Sequence, residues 1–398
     1  MRFKNKIAQF ICFAFFLLNF GCTNANDKGD TTSKPKQHIY DPTYKSRIVT
    51  RNPNNRTLSD FFKSEKYSKE VDSIFNKLSI DEKAAQLIMP AASTNNYGLS
   101  FEEIKKLYVE KKIGCVLFLK GNSISFRQLN AELKNIAKRN NLLEPIISAD
   151  AEPTLLHNKF TDLKKITPAI EQKSISQVSS NCKIIVETLN NIGIKINFAP
   201  VVDISSNKSI INTRSWGNSV DTIIAHSKAF IDYHQKKEIV TVLKHFPGHG
   251  NVKGDSHKKL VFIDGDLKEL NNFKELIKVN AIGTMVGHIA IVNNSKWNTN
   301  GLPSTLSRNI VTTLLKDSLN FKGVIFTDAM NMGAVKDIPD ASYKALCAGV
   351  DVIVAPLSIE KLHSRIKQEL ENPKGKYKDQ FEKSIKKIIR LKYVLNTI

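Results

Sequence analysis

Residues able to do proton or charge chemistry are concentrated in one short stretch, residues 242–257. Its ionisable side chains include Lys244, His245, His249, Asp255 and His257. Proline and glycine lie between them, which excludes a helix and predicts an ordered, tightly turning loop. An apolar run at residues 239–243 comes just before the loop and predicts a buried strand. Because clustered ionisable groups are costly to keep without a role, this stretch predicts a functional site.

Two aspartates stand directly after other apolar runs. Asp150 follows the run 145–149, and Asp328 follows the run 324–327. A carboxylate at the end of a buried strand can act as a nucleophile, and Asp328 is the best candidate for that role. The alternative for Asp328 is a helix N-cap, and Asp150 could either bind a pair of hydroxyl groups or cap a helix.

His257 is the candidate proton donor and acceptor. The unperturbed pKa of histidine lies near neutrality, and Asp255, two residues away, could orient the ring and favour its charged form. A charged His257 could protonate a leaving-group oxygen and then act as a base toward water. Lys244 and Arg214 are fixed cations suited to sugar hydroxyl, acetamido or carboxylate groups. Together these residues favour glycoside chemistry, although two facing carboxylates are the ordinary arrangement for it.

The elements that must position these residues alternate between strand and helix patterns. Continuous apolar runs cover residues 84–91, 113–119, 145–149, 194–202, 239–243, 283–291, 324–327 and 350–355. Amphipathic stretches lie between most of them, at residues 123–140, 174–192, 222–236, 267–280 and 307–319, and a further helix is expected at 377–395. Eight such strands predict an α/β fold, specifically a (β/α)8 TIM barrel in a single catalytic domain at residues 57–398. A doubly wound open sheet is the alternative, and the absence of a glycine-rich nucleotide fingerprint disfavours it.

The first 22 residues have the form of a secretion signal. A basic start and an apolar core at residues 7–20 lead to a glycine and Cys22, which resembles a bacterial lipobox with Asn19 in a usually apolar position. We therefore expect lipid attachment at Cys22, with plain secretion or an uncleaved anchor as alternatives. Residues 23–56 are polar and aperiodic and predict a flexible tether. The protein is thus expected to be exported and held by a membrane anchor that faces the periplasm or the cell surface.

Composition excludes some classes of partner. The net charge of +21 comes from lysines scattered along the chain, and no basic block with interleaved aromatics indicates a nucleic-acid groove. The lysines form a solvated surface or attract an anionic wall polymer or membrane. The five cysteines form neither a disulfide framework nor a metal pattern, and Cys115, Cys182 and Cys347 are expected to be buried, unreactive thiols.

Several motifs occur together in one order. They are NFAPVVD at 197–203, RSWG at 214–217, KHFPGHG at 244–250, DSH at 255–257, PSTLS at 303–307, VIFTDAM at 324–330 and AGVD at 348–351. With these motifs, residues from about 70 to 395 resemble glycoside hydrolase family 3, and specifically its β-N-acetylglucosaminidase branch.

The resemblance implies a barrel enzyme that removes terminal β-linked N-acetylglucosamine with retention of configuration. It assigns the nucleophile to Asp328 and the acid/base to His257 paired with Asp255. It places Asp150, Arg214, Lys244 and His245 in the sugar-binding site. It implies a carbohydrate substrate such as peptidoglycan fragments or chitin-type oligosaccharides, and neither a metal nor a cofactor.

The chain departs from the family's pattern after Asp150. The family usually has Glu-Gly-Gly-Arg and a further arginine there, whereas residues 150–158 are DAEPTLLHN. Both arginines are missing, and His157 or Asn158 could replace one of them. The substrate is the property that this change puts in question.

Four alternatives to this function remain open. The chain could be a β-glucosidase or β-xylosidase of the same superfamily, or a glycoside phosphorylase, because a histidine acid/base leaves room for an anionic nucleophile. It could be a metal hydrolase with His245, His249, Asp255 and His257 as ligands, although Pro247 and Gly248 forbid the helix that an i, i+4 histidine pair needs. It could also bind wall glycans without cleaving them.

Overall fold

The computed structural model describes residues 56–398. The predicted secretion signal, Cys22 and the tether up to residue 55 lie outside the described residues, and the predicted domain bounds stay predictions. Within residues 56–398, no helix combines the length and the apolar character that crossing a membrane requires.

The strands are short and most are completely buried. In chain order they are β1 (Ile88–Met89), β2 (Ala91–Ser93), β3 (Cys115–Lys120), β4 (Ile146–Ala149), β5 (Ile196–Asn197), β6 (Val240–Phe246), β7 (Val261–Asp264), β8 (Gly283–Val286), β9 (Ile289–Val292), β10 (Val324–Thr327) and β11 (Ile353–Val354).

Seven of these strands form one parallel sheet. Its order is β10-β8-β6-β5-β4-β3-β2, and β1 pairs with β11 while β7 pairs with β9, all in parallel. The sheet curls toward the β1–β11 pair. At one edge the N–H of Thr327 donates to the carbonyl of Val352, and near the other Leu117 donates to Pro90, between β1 and β2. These pairings confirm the predicted α/β class with a parallel, curled sheet.

Helices lie between most of the strands, before β1 and after β11. They are α1 (Ser68–Lys77), α2 (Ile80–Ala85), α3 (Phe101–Val109), α4 (Ser123–Asn140), α5 (Leu156–Lys159), α6 (Ile175–Ile192), α7 (Val220–Gln235), α8 (Leu270–Ile277), α9 (Ala341–Ala348), α10 (Ile359–Glu371) and α11 (Lys378–Val394). Shorter 3₁₀ turns occupy Leu58–Phe62, Ala169–Glu171, Asn212–Arg214 and Ser304–Leu306, and a π-helix spans Asn309–Ser318. Serine or asparagine N-caps start several of them, as at α4, where the side chain of Asn122 accepts from the N–H of Ile124.

Most expected elements are confirmed with shifted ends, and three runs are corrected. Of the run 194–202 only Ile196–Asn197 forms a strand, β5, and Val201 adds one isolated bridge to Lys244. The run 84–91 is not all strand, because a capping box at Ser79 starts α2, which takes Ala84 and Ala85. The run 283–291 is two strands: Gly287 and His288 separate β8 from β9, and β9 pairs with β7 outside the main sheet. The strand expected at residues 239–243 continues to Phe246, so β6 includes Lys244 and His245.

The cysteine prediction is confirmed for Cys115 and Cys182, which are buried, while Cys347 is only partly buried. Burial raises the pKa of Cys115 to about 11 and also raises the pKa of Cys182. All three thiols are free and protonated at neutral pH.

A buried aspartate fastens the last helix to the sheet. Asp351 is 1% exposed and accepts hydrogen bonds from the N–H of Ile325 in β10 at 2.9 Å, the hydroxyl of Ser384 at 2.6 Å and the ammonium of Lys387 at 2.8 Å. Burial opposes ionisation, but Lys387, Lys316 and Ser384 outweigh it and hold the pKa of Asp351 below its usual value. α11 is therefore bound to the sheet by an ionised group as well as by its apolar face.

We predict that Asp351→Ala lowers the free energy of unfolding by about 3 kcal/mol at pH 7, because it leaves a buried cation and an N–H unpaired. Because the pKa is depressed in the folded state, the contribution is present above the unfolded value near pH 4 and is lost as the pH falls through the folded pKa. Urea unfolding at several pH values measures it. The exposed control Asp317→Ala is expected to change stability by less than about 0.5 kcal/mol, and equal effects of the two variants would contradict the prediction.

Candidate active site

The predicted site residues meet at the carboxyl ends of neighbouring parallel strands. Asp150 directly follows β4, and Asp328 directly follows β10. Lys244 and His245 lie near the carboxyl end of β6. In α/β folds the loops at this end of the sheet carry the functional groups. The order of the strands therefore brings together residues that are up to 178 positions apart in the chain.

One half of the site is a cluster of charges around Asp150 and Glu152. The ammonium of Lys244 lies 2.8 Å from Asp150 Oδ1 and 2.5 Å from Glu152 Oε1. Arg214 donates two hydrogen bonds to the carboxylate of Glu152, from Nε at 2.8 Å and from Nη2 at 2.7 Å. Lys159 approaches the second oxygen of Asp150 at 3.3 Å. Three cations thus face two carboxylates, and this arrangement is suited to holding hydroxyl or acetamido groups in a fixed orientation.

The charges of this cluster maintain one another. Burial opposes ionisation of Asp150, but Lys244, Lys159 and Arg214 lower its pKa well below the usual range. Glu152 behaves in the same way, and the pKa of Arg214 is raised because its carboxylate neighbours outweigh its burial. The pKa of Lys244 is also raised, since Asp150 and Glu152 outweigh the burial that would lower it. Asp150, Glu152, Arg214 and Lys244 are therefore charged at neutral pH.

Asp203 organises the segment that follows Lys244. Its carboxylate accepts from the backbone N–H of His245 at 3.0 Å, from the backbone N–H of His249 at 2.8 Å and from the ring nitrogen Nδ1 of His245 at 2.7 Å. Burial raises the pKa of Asp203, but the two histidines outweigh it, so the pKa is lowered. Because Nδ1 of His245 is the donor to Asp203, its Nε2 is left to face the site.

Asp328 is placed among groups that keep it ionised. Its Oδ1 accepts from the N–H of Ala329 at 2.8 Å. Burial raises its pKa, but His245, His288, this N–H and His257 together outweigh burial and lower it. The alternative of a helix N-cap is wrong, because the next helix after Asp328 begins only at Ala341.

His257 and Asp255 form a hydrogen-bonded pair that is partly exposed to solvent. Nδ1 of His257 lies 2.8 Å from Asp255 Oδ1, and the His257 side chain is 56% exposed. The carbonyl of His257 accepts from the N–H of Gly333 at 2.8 Å, five residues after Asp328. A side chain at Gly333 would come within 2.3 Å of the carbonyl of Lys258, so only glycine allows the two loops to approach this closely.

The ring of His249 is held by contacts with other residues of the protein. Its Nδ1 accepts from the amide of Asn207 at 3.2 Å, and its Nε2 lies 2.8 Å from the hydroxyl of Ser256. Burial, followed by the neighbouring His245, lowers its pKa to about 4, so the ring is neutral and carries its proton on Nε2. Both ring nitrogens of His249 are therefore hydrogen-bonded to other groups of the protein.

Within residues 56–398 no group of three or more histidine, cysteine, aspartate or glutamate side chains is placed to hold a metal ion.

The altered loop after Asp150 brings a different cation from those expected. Asn158 is exposed, whereas the ammonium of Lys159 lies on Asp150. The backbone explains the position, because the carbonyl of Lys159 accepts from the N–H of Gly121 at the end of β3. Lys159 is therefore the cation that this loop places beside Asp150, and the replacement of an arginine by His157 or Asn158 stays a prediction.

Sequence reasoning gave no role to several residues that shape the site. Asp203 directly follows the apolar run 194–202, Glu152 lies three residues after the run 145–149, and His288 lies within the run 283–291. These positions are a usable signal, but the contacts of the three side chains depend on distant partners. His288, for example, bonds to the hydroxyl of Thr305 at 2.6 Å and to the carbonyl of Ala329 at 3.1 Å. Nothing in the sequence near Lys159 or Glu269 marks these two residues.

Comparisons with known proteins agree on one family. The profile described as the glycosyl hydrolase family 3 N terminal domain matches residues 79–391. A beta-hexosaminidase A from Pseudoalteromonas piscicida is 33% identical over 231 residues, which are 51% of this chain and 38% of that protein. A beta-hexosaminidase from Actinobacillus pleuropneumoniae serotype 5b is 30% identical over 277 residues, which are 64% of this chain and 77% of that protein. The matched part thus spans about two fifths of the first relative.

A solved structure gives the same result for the fold. A glycoside hydrolase family 3 beta-N-acetylglucosaminidase from Paenibacillus sp. str. FPU-7 superposes with a TM-score of 0.70 at 25% identity. The alignment covers 80% of this chain and 63% of that one.

We predict that His249 stays neutral with its proton on Nε2 down to about pH 5, because burial lowers its pKa. An unfolded histidine takes up its proton near pH 6.5, so His249 costs stability as the pH falls from there toward 4. ¹⁵N-histidine NMR of the native protein across this range checks it, with His249→Gln to assign the signal. An imidazolium signal from His249 at about pH 6 would contradict this.

Proposed function

The chain belongs to glycosyl hydrolase family 3, and from this membership we propose that it is an exo-acting, retaining β-N-acetylglucosaminidase. It hydrolyses terminal, non-reducing N-acetylglucosamine through a covalent glycosyl-aspartate. The observation that carries the proposal is the position of Asp328, an ionised carboxylate directly after β10 that is surrounded by His245, His288 and His257.

In the first step the Asp328 carboxylate attacks the anomeric carbon and forms an ester. The glycosidic C–O bond breaks, and the charged ring of His257 gives its proton to the departing oxygen. In the second step the now neutral His257 takes a proton from water, whose oxygen attacks the same carbon and displaces Asp328. Two displacements at one carbon restore the β configuration. Asp255 supports both steps because its bond to Nδ1 of His257 orients the ring.

The sugar is held by the charged cluster. Asp150 and Lys244 offer an acceptor and a donor to adjacent hydroxyl groups, and His245, fixed by Asp203, presents Nε2. Arg214 reaches the cluster through Glu152, so it orients the other groups as well as offering its own N–H groups.

The names of the relatives support N-acetylglucosamine as the sugar that the protein releases. Two curated relatives are beta-hexosaminidases, and a solved relative is a beta-N-acetylglucosaminidase. For this chain we propose peptidoglycan fragments or chitin-type oligosaccharides as substrates. Lys159, in the loop that lacks the family's arginines, adds a positive charge beside Asp150, and through this charge it shifts the preference between the two substrates.

Two further points belong to the same proposal. First, the curled sheet is a closed (β/α)8 barrel; the hydrogen bonds from Ile353 to Leu87 and from Thr327 to Val352 support closure through the β1–β11 pair. Second, the sequence pattern ending at Cys22 supports an exported lipoprotein anchored to a bacterial membrane.

We predict that Asp328→Ala abolishes release of p-nitrophenol from its β-N-acetylglucosaminide, because no nucleophile remains. His257→Ala is expected to lower the second-order rate constant by about 10²- to 10⁴-fold, the usual contribution of an acid/base group. Initial rates at pH 7 measure both, with Asp317→Ala as an exposed control and thermal unfolding to verify folding. ¹H NMR of the first product should display the β-anomer.

Other outcomes separate the alternatives. Full activity in Asp328→Ala would contradict the mechanism with Asp328 as the nucleophile. A faster reaction with phosphate and a sugar phosphate as product would favour a phosphorylase, and a preference for the aryl glucoside or xyloside would favour the β-glucosidase or β-xylosidase reading. Binding of chitobiose without cleavage would indicate a glycan-binding protein.

A further inference from the structure

We propose that Glu269 is a positioning residue for the Asp255–His257 pair. It holds the first half of the loop that carries this pair, and it acts without touching the substrate. The inference rests on the proposed function, since it assigns Glu269 a part in the proton transfer by His257.

Glu269 is a buried acceptor for three backbone N–H groups. It is 3% exposed and lies at the start of α8, far along the chain from the groups it binds. Its carboxylate accepts from the N–H of Gly250 at 3.1 Å, from Asn251 at 3.0 Å and from Ile204 at 2.9 Å. One side chain therefore joins the loop after β6 to the residue that follows Asp203.

The fit around Glu269 is tight on both sides. A side chain at Gly248 would come within 2.8 Å of the Cβ of Glu269, and one at Gly250 would come within 2.0 Å of the carbonyl of Ile204. Gly248 also has a φ of +131°, which side chains rarely adopt. The glycines thus allow the loop backbone to lie directly against the Glu269 carboxylate.

Burying the carboxylate of Glu269 without a cation beside it costs free energy. No cation forms an ion pair with Glu269 among residues 56–398, and Asp203, which is itself ionised, lies close enough to repel it. Burial and the Asp203 charge raise the pKa of Glu269, while its three N–H donors oppose this rise. A buried carboxyl that is retained at such a cost near a catalytic centre points to a functional requirement.

The second half of the loop is held by other groups. The amide of Asn207 donates to the carbonyl of Gly254 at 3.1 Å, and Ser256 contacts His249. Asp255 thus lies between the anchor at Gly250–Asn251 and the contacts of Ser256, and His257 directly follows Ser256. Loss of the first anchor leaves the pair folded but less often in position, because Asn207 and Ser256 still bind.

The test is Glu269→Gln, which keeps the size of the side chain but turns an N–H₂ group toward backbone donors. Glu238→Gln is the matched control, because Glu238 accepts from the backbone N–H of Leu58 at 3.2 Å and also has a pKa raised by burial. Rates are measured with 2,4-dinitrophenyl β-N-acetylglucosaminide, which leaves without protonation, and with chitobiose, which needs it. Hydrogen–deuterium exchange of both variants reports loop order independently of activity.

If Glu269 positions the pair, Glu269→Gln loses at least about tenfold more activity on chitobiose than on the dinitrophenyl glycoside. Exchange rises in peptides covering residues 248–258 and stays unchanged in β6, and Glu238→Gln behaves like wild type. An equal loss on both substrates, or unchanged exchange at residues 248–258, would overturn the role of Glu269. A wild-type protein that cleaves neither glycoside would instead contradict the proposed function, and the exchange result would still decide whether Glu269 anchors the loop.

Discussion

The arrangement of the site follows from one requirement, the compensation of the buried charge of Lys244. This lysine lies within a strand and is 2% exposed, where an unpaired ammonium would be strongly disfavoured. Asp150 and Glu152 supply the compensating charge, and they in turn need Arg214 and Lys159. Removing one partner of such a set leaves the others uncompensated. The cluster is therefore rigid before any ligand arrives, which suits a site that must hold one sugar in a fixed orientation.

The next residue, His245, connects this cluster to the loop for which we propose proton transfer. Asp203 binds both its backbone and its ring, and the same carboxylate starts the loop by accepting from His249. Solvent exposure increases along the loop, from buried His249 to His257, whose side chain is more than half exposed. A rigid binding face beside an exposed, tethered acid/base allows the proton donor to approach a bond once the sugar is in place.

Sequence patterns predicted the class of fold and the residues that stand at strand ends, because hydrophobic periodicity and position after a strand are local properties. Asp328, Asp150 and the segment from Lys244 to His257 were found in this way. The first part of the run 84–91 was missed because a capping box at Ser79 overrides apolar character. Lys159 and Glu269 could not be found, since Lys159 depends on a backbone bond to Gly121 and Glu269 on the N–H groups of a distant loop. Their roles arise from long-range contacts that a single sequence does not encode in any local pattern.

The central claim is that Asp328 becomes covalently bonded to the sugar. The most direct measurement is to react the protein with a 5-fluoro-N-acetylglucosaminyl fluoride, which slows the second step, and to locate the label by peptide mass spectrometry. The account predicts one glycosyl group per chain, on the peptide that contains Asp328, and none in Asp328→Ala. A label on Asp150, Glu152 or Asp203 would contradict it, as would turnover of the reagent with inverted configuration and no label.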